Sequence, residues 1–145
     1  MLVPHGAYVL AIDGGRMHLL RNRGRENAIE LETIEQQELR NPRSHILSEP
    51  QPGRTFQSMG VSRSAYEETD THQRREDAFC AAALDRALAA ATGAAELVLI
   101  APPHVMGLLR DHGERLQNRL PIREITKDLT ALAPKALGER LRDYR

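Results

Sequence analysis

The sequence predicts a single α/β domain built on a five-stranded mixed sheet, and three observations lead to this fold class. Three short strand-like runs open the chain and are separated by turn signals. Helical patterns then alternate with two apolar runs. The length of 145 residues is that of one ordinary domain, so residues 1–145 are treated as one unit. The expected order is βββαβαβα, with helices on the faces of the sheet.

The opening strands are defined by the turns between them. Residues 7–12 form an apolar run that ends at Asp13-Gly14-Gly15. An Asp-Gly pair between two strand-like runs is typical of a tight hairpin whose turn needs positive φ. Residues 17–21 form the second run, and residues 28–36 form the third, with an imperfect period of two.

The first helix is predicted from its two ends. Ser64 and Glu67 match a capping box, and Gly93 is a typical residue to follow a helix C-terminus. The helix therefore runs from about Ser64 to about Thr92.

The rest of the chain alternates strand and helix. Residues 97–101 read LVLIA, the continuous apolar run of a strand that is covered on both faces. Pro102 and Pro103 follow and are compatible with a first helical turn, so a helix is expected over residues 103–118. Residues 121–126 form the fifth strand, and residues 135–142 form the last helix.

Between the third strand and the first helix, residues 39–64 show no periodic pattern. The segment is rich in the residues that interrupt helices and strands: Pro42, Pro50, Pro52, Gly53 and Gly60. A loop of this length inside a compact domain is either functional or disordered.

Composition excludes several classes of protein. The chain carries 20 basic and 20 acidic residues, so bulk charge gives no reason to expect nonspecific binding to nucleic acid or membranes. Cys80 is the single cysteine, which rules out an intrachain disulfide. No apolar run approaches the roughly 20 residues that cross a bilayer. The N-terminus has no signal-peptide pattern. We therefore expect a cytoplasmic protein without a membrane partner.

Four separated stretches carry a resemblance to a known family. They are PHGAYVLAIDGG, QPGRTFQSMGVSRSAYEETDTH, LVLIAPPHVMGLLR and ITKDLT. In this order and spacing they resemble the bacterial family named "protein required for attachment to host cells". The Pro-Gly-Arg-x-Phe-x-Ser pattern is among their most diagnostic parts. That family is remotely similar to the middle domain of the archaeal and eukaryotic peptide-chain release factors, which agrees with the βββαβαβα order.

The resemblance implies a link to translation but not the release reaction itself. Release factors carry a Gly-Gly-Gln loop for peptidyl-tRNA hydrolysis, and this chain has no Gly-Gly-Gln, since Gly14-Gly15 is followed by Arg16. The family name implies adhesion, which we interpret as an indirect effect of a cytoplasmic protein.

The first candidate site binds anions. Ligands of α/β sheets bind beyond the carboxyl ends of parallel strands, and the 39–64 loop could fold over that end. Arginine recognises phosphate with two hydrogen bonds, and the free amides of a helix N-terminus also attract anions. The predicted anion or RNA site consists of Arg54, Phe56, Ser58, Arg63, His104 and Lys127. In the alternative interpretation, the arginines and Phe56 only tie the loop to the domain.

The second candidate site is acidic. It would consist of Asp13, Glu67, Asp70 and Asp128, and it could hold Mg²⁺ for hydrolysis of a phosphoester. Asp13 is equally well explained by the hairpin turn, and Asp128 by a helix or turn cap. We therefore predict no metal and no other cofactor. Cys80 lies on an apolar helical stripe and is expected to be a buried, inert thiol.

Three functions remain open. The first is a non-catalytic binding module that acts on the ribosome, tRNA or another RNA through residues 50–70. The second is a metal-dependent phosphoesterase or nuclease. The third is a protein–protein adaptor.

Overall fold

A computed structural model describes the backbone of residues 1–39 and 58–145, and the side chains of residues 1–39 and 70–145. The elements of this part are β1 (Tyr8–Ile12), β2 (Arg16–Asn22), β3 (Leu31–Glu38), α1 (Ser58–Ala90), β4 (Leu97–Ala101), α2 (Pro103–Arg115), β5 (Ile122–Thr126) and α3 (Pro134–Asp143). The predicted βββαβαβα order is confirmed.

The strands form one five-stranded sheet in the order β3-β2-β1-β4-β5. The pairs β1–β2 and β2–β3 are antiparallel, and β1–β4 and β4–β5 are parallel. The mixed sheet is therefore confirmed. Because β1, β4 and β5 run in the same direction, Ile12, Ala101 and Thr126 end at one side of the sheet, which we call the carboxyl end. The opposite side is the amino end.

Helices cover both faces of this sheet. Leu10 and Ile12 of β1 pack in the core under α1 and α2, whereas Val9 and Ala11 pack in the core under α3. Successive side chains of a strand point to opposite faces, so a strand covered on both sides must be apolar throughout. All five residues of β4 are buried for this reason.

Helix α1 begins earlier than predicted. It starts at Ser58, so Ser64 lies inside the helix and the predicted capping box at Ser64 and Glu67 is wrong. A capping box works only where the preceding residue has left the helix, a condition that the local motif does not reveal. Residues 58–64 of the predicted loop are therefore helical, and residues 40–57 lie outside the described residues. The predicted end of the helix before Gly93 is confirmed, since Gly93 follows the helix with φ of +84°.

The β1–β2 hairpin is confirmed, but its turn is not of the predicted kind. Neither Gly14 nor Gly15 has positive φ. Instead, the Asp13 carboxylate accepts hydrogen bonds from the amides of Gly15 at 2.8 Å and Arg16 at 2.7 Å. A side chain that bonds the backbone in this way closes the turn without left-handed residues.

Strand β3 is displaced from its predicted range of 28–36 and occupies Leu31–Glu38. Thr33 pairs with Leu20 and Glu35 pairs with Leu19, so Ile34 is the extra residue of a β-bulge. The bulge interrupts the alternation and leaves Ile34 46% exposed. The other bounds shift by one to three residues: β1 starts at Tyr8, β2 spans Arg16–Asn22, α1 ends at Ala90, α2 ends at Arg115, β5 starts at Ile122, and α3 spans Pro134–Asp143. No described helix is long and apolar enough to cross a membrane.

His18 is a polar residue in the buried part of β2. Its side chain is 2% exposed, and its Nε2 lies 2.7 Å from the hydroxyl of Thr33. Its Nδ1 finds no hydrogen-bond partner among the described residues. Burial lowers the pKa of His18 below the ordinary value of 6.5, because the charged ring would lose its hydration.

This burial makes the stability of the fold sensitive to acid. The unfolded chain binds the His18 proton more readily than the folded chain, so the free energy of unfolding should fall as pH drops below about 6.5. In urea unfolding at about pH 7.5 and about pH 5.5, His18→Gln should lose less stability than the natural sequence. Equal losses in the two proteins would contradict this assignment.

Candidate functional site

A shared hydroxyl group joins two carboxylates at the carboxyl end of the sheet. The Thr130 hydroxyl lies 2.9 Å from Asp13 Oδ2 and 2.8 Å from Asp128 Oδ1. Thr130 is 8% exposed. A hydroxyl has one hydrogen and can donate fully to only one acceptor at a time. Asp13, which follows β1, and Asp128, which follows β5, are therefore held side by side and compete for one donor.

Asp13 is held in its charged form. Burial raises its pKa, but hydrogen bonds from the Gly15 amide, the Thr130 hydroxyl and the Arg16 amide outweigh this effect, and the positive charge of Arg16 adds to them. The net pKa of Asp13 is lower than the ordinary 3.8. At neutral pH the charged carboxylate therefore accepts hydrogen bonds from the amides of the turn and from the Thr130 hydroxyl.

Helix α1 forms one wall of this end of the sheet. A Cβ atom on Gly14 would lie 3.2 Å from the carboxyl group of Glu76, so glycine allows the helix and the hairpin turn to approach closely. His72 Nε2 lies 3.1 Å from Glu76 Oε1, one helical turn away. The side chain of α1 nearest the turn is thus the acidic Glu76, which is paired with His72.

Cys80 lies behind this wall. It is 1% exposed, and its Sγ–H donates to the Asp13 carbonyl oxygen at 3.8 Å. Burial raises the pKa of the thiol to about 12, with further contributions from the negative charges of Asp77, Glu76 and Asp13. The expected burial of this thiol is confirmed, and such a thiol is a poor nucleophile.

His104 lies in the first turn of α2 and is contacted by α1. Its Nε2 is 3.4 Å from Gln73 Nε2, which also donates to Asp77 Oδ1 at 2.8 Å. Pro102 precedes the helix, and no side chain caps its N-terminus. The start of α2 therefore combines uncapped amide groups with an exposed histidine at the carboxyl end of the sheet.

Lys127 is directed to a different neighbour. Its ammonium group lies 5.3 Å from the centre of the Tyr144 ring, beyond the end of α3. The structure thus brings His104 to α1 and Lys127 to the C-terminal residues. Of the remaining anion-site candidates, Arg54 and Phe56 lie outside the described residues. Ser58 and Arg63 belong to α1, but their side chains are not in the described part.

The acidic candidates are also divided. Asp13 and Asp128 meet at Thr130, whereas Asp70 forms an ion pair with Arg74 at 3.0 Å on the surface of α1. The side chain of Glu67 lies outside the described part. Within residues 1–39 and 70–145, no group of three or more histidine, cysteine or acidic side chains could hold a metal ion.

Sequence reasoning missed Thr130 and Glu76. An Asp-x-Thr spacing predicts the local contact of Thr130 with Asp128, but nothing in it predicts contact with Asp13. Glu76 reaches Gly14 only because α1 packs across β1.

Helix α1 extends past the sheet. It has 33 residues and is roughly 50 Å long, whereas β1 has 5 residues and spans roughly 17 Å. Cys80 marks the point where α1 passes the carboxyl end of β1. The first turns of α1 therefore project beyond the carboxyl end of β1. In the adjoining part of the helix, residues 70–79 include no fully buried side chain.

The burial of Cys80 predicts its reactivity. At about pH 8, iodoacetamide should alkylate the native protein at least about a hundredfold more slowly than the urea-unfolded chain, because the thiolate is scarce and inaccessible. Mass spectrometry measures the rate of labelling. Equal rates in native and unfolded protein would contradict the buried, raised-pKa thiol.

The Thr130 hydroxyl should stabilise the fold through Asp13. Thr130→Val removes it without changing the shape of the side chain, and the free energy of unfolding should fall by about 1–2 kcal/mol at neutral pH. Because the folded-state pKa of Asp13 is lowered, the stability it contributes is present above pH 3.8 and is lost as pH falls through the folded pKa. The deficit of the variant should therefore shrink in acid.

Thr130→Ser is the matched control, because it keeps the hydroxyl and loses only a methyl group. Its deficit should not depend on pH in this range. A deficit of Thr130→Val that stays constant down to about pH 2.5 would show that packing, and not the hydrogen bond, accounts for the loss.

Comparison with known proteins gives the family of the chain. No curated protein matches the sequence significantly. Residues 6–141 match the family model described as bacterial archaeo-eukaryotic release factor family 12. The release-factor kinship expected from the sequence is thereby confirmed, whereas the host-attachment name stays a prediction. Because the match covers nearly the whole chain, the protein belongs to bacterial archaeo-eukaryotic release factor family 12.

Proposed function

We propose that this protein is a non-catalytic module that binds the ribosome or RNA through residues 50–70, which include the first turns of α1 at the carboxyl end of the sheet. The observation that carries the proposal is the release-factor family match together with the extension of α1 beyond that end. A projecting helix gives the domain a contact surface that its own core does not use.

The chemistry of this region fits recognition of a polyanion. Arg54 and Arg63 would supply guanidinium groups that match phosphate, and Phe56 would offer a surface on which a base can stack. His104 and the uncapped amides at the start of α2 add donors at the same end of the sheet. The negative charge of Asp13 at this end of the sheet is partly offset by Arg16, whose Nη2 lies 3.5 Å from Asp13 Oδ2.

Two features favour binding over peptide release. The sequence has no Gly-Gly-Gln, the motif that release factors use for hydrolysis. The single thiol of the chain is buried and has a raised pKa, so it is no substitute for a nucleophile. Cytoplasmic location and an indirect effect on host attachment belong to the same proposal, since a protein acting on translation would alter adhesion from inside the cell.

The arginines of residues 50–70 should determine RNA association. Arg54→Glu combined with Arg63→Glu should abolish co-sedimentation of the tagged protein with ribosomal particles in a sucrose gradient. It should also weaken binding to total tRNA on the order of a hundredfold in low salt. Ribonuclease treatment should release the natural protein to the top of the gradient.

The matched control is Arg119→Glu combined with Arg140→Glu, which changes the net charge equally at exposed positions elsewhere. This control should bind like the natural protein. If the Arg54 and Arg63 variant keeps its natural unfolding profile and also binds normally, residues 50–70 are not the RNA surface.

A metal-dependent phosphoesterase is the second candidate, and the approach of Asp13 to Asp128 is the observation that favours it. Two adjacent carboxylates could share a divalent cation. The test is hydrolysis of bis(p-nitrophenyl) phosphate and of single-stranded RNA with Mg²⁺ or Mn²⁺. Turnover that Asp128→Asn abolishes would establish the enzyme. If neither RNA association nor turnover is found, the protein–protein adaptor remains.

A further inference from the structure

A cleft lies at the amino end of the sheet, away from the candidate site at the carboxyl end. Its volume is about 510 Å³, within the usual range for small-molecule sites. It is lined by His5, Gly6, Tyr8, Arg21, Ala90, Thr92, Gly93, Ala94 and Ala95. These residues include no carboxylate, although acidic residues are as numerous as basic ones in the whole chain. Arg21 is therefore the one fixed charge of the lining.

Arg21 is positioned but not neutralised. Its guanidinium group lies over the Tyr8 ring, 5.9 Å from the ring centre. The carboxylates nearby in the fold have other partners, since Glu32 pairs with Arg23 at 3.2 Å and Glu96 pairs with Arg123. Among the described residues, no acidic side chain forms an ion pair with Arg21. The donors of its guanidinium group thus remain available to an anion.

Two glycines with left-handed backbone conformation line the cleft. Gly6 has φ of +81°, and a Cβ atom there would lie 3.7 Å from Arg21 Nη2. Gly93 has φ of +84° and lets the chain turn away at the end of α1. Three alanines, Ala90, Ala94 and Ala95, also line the cleft and project little into the space. Any residue other than glycine would strain the backbone at both positions, and a Cβ atom at position 6 would come into contact with Arg21.

Other polar groups of the cleft have partners within the chain. His5 Nδ1 lies 2.8 Å from the Gly24 carbonyl oxygen, which can only accept, so Nδ1 carries a hydrogen and the ring is fixed. The carbonyl groups at the end of α1, which would repel an anion, are partly satisfied. The Thr92 hydroxyl lies 3.0 Å from the Ala89 carbonyl, and the Ala94 amide donates to Ala91 at 2.8 Å.

We propose that this amino-end cleft binds the phosphate group of a small phosphorylated molecule through Arg21, with Tyr8 and His5 beside it. The guanidinium fork matches two phosphate oxygens, and the volume accommodates a sugar or a nucleobase attached to the phosphate. This site is independent of the proposed RNA surface, because it lies at the other end of the parallel strands.

The test is a titration of the ¹⁵N-labelled protein followed by NMR. Inorganic phosphate and ribose 5-phosphate are the probes. Acetate is titrated in parallel to test whether a carboxylate binds at the same site. The amides of Gly6 and Gly93 should shift with both phosphates, and ribose 5-phosphate should bind more tightly than inorganic phosphate. Arg21→Gln should weaken binding on the order of tenfold or more. Arg25→Gln, which removes an equal charge at an exposed position outside the lining of the cleft, should bind like the natural protein.

Each contrary outcome overturns the proposal. Shifts that persist unchanged in Arg21→Gln would show that the ion binds elsewhere. Acetate binding as tightly as the phosphates would make the site a general anion site. The variant carrying Arg54→Glu and Arg63→Glu should keep the Gly6 and Gly93 shifts. If the phosphate proposal for this cleft fails, the RNA proposal is unaffected. If the RNA proposal fails, the phosphate proposal is likewise unaffected.

Discussion

The parallel pairing of β1 with β4 is the constraint on which the rest of the structure depends. It places the end of the first hairpin strand beside the ends of β4 and β5, although 84 residues lie between β1 and β4 in the chain. Asp13, His104 and Asp128 lie at one end of the sheet because β1, β4 and β5 run in the same direction. The same pairing puts Tyr8 beside Leu97, and so brings the end of α1 to the opposite end.

Because the centre of the sheet is covered on both faces, most of the polar side chains there lie at the ends of the strands. Strand β4 is entirely apolar, so polar side chains near the sheet centre are confined to strand ends and to a few satisfied positions. Asn22 is one such position: it is fully buried, donates to the Val3 carbonyl at 2.9 Å and accepts from Gly24 and Glu30 at 3.0 Å each. His18 is only half satisfied. The groups of the two proposed sites are therefore at the two ends of the sheet.

Much of the fold could be predicted because its signals are local. The Asp-Gly hairpin, the LVLIA strand, the double proline and Gly93 each act within a few residues, and each marks an element that the structure contains. The errors have local causes too. Ser64 matches a capping box inside a helix that has already begun, and the bulge at Ile34 shifts β3 because the pairing with β2, and not the alternation, fixes its register.

The sequence by itself determined the order of elements, the release-factor kinship, the buried thiol and the position of Asp13 and Asp128 after their strands. Only the tertiary structure decided that one Thr130 hydroxyl bridges the two carboxylates, that Lys127 turns to Tyr144, and that Arg21 lies over Tyr8 at the amino end. Those contacts join residues far apart in the chain. They depend on sheet order and helix placement, which periodicity and local motifs do not encode.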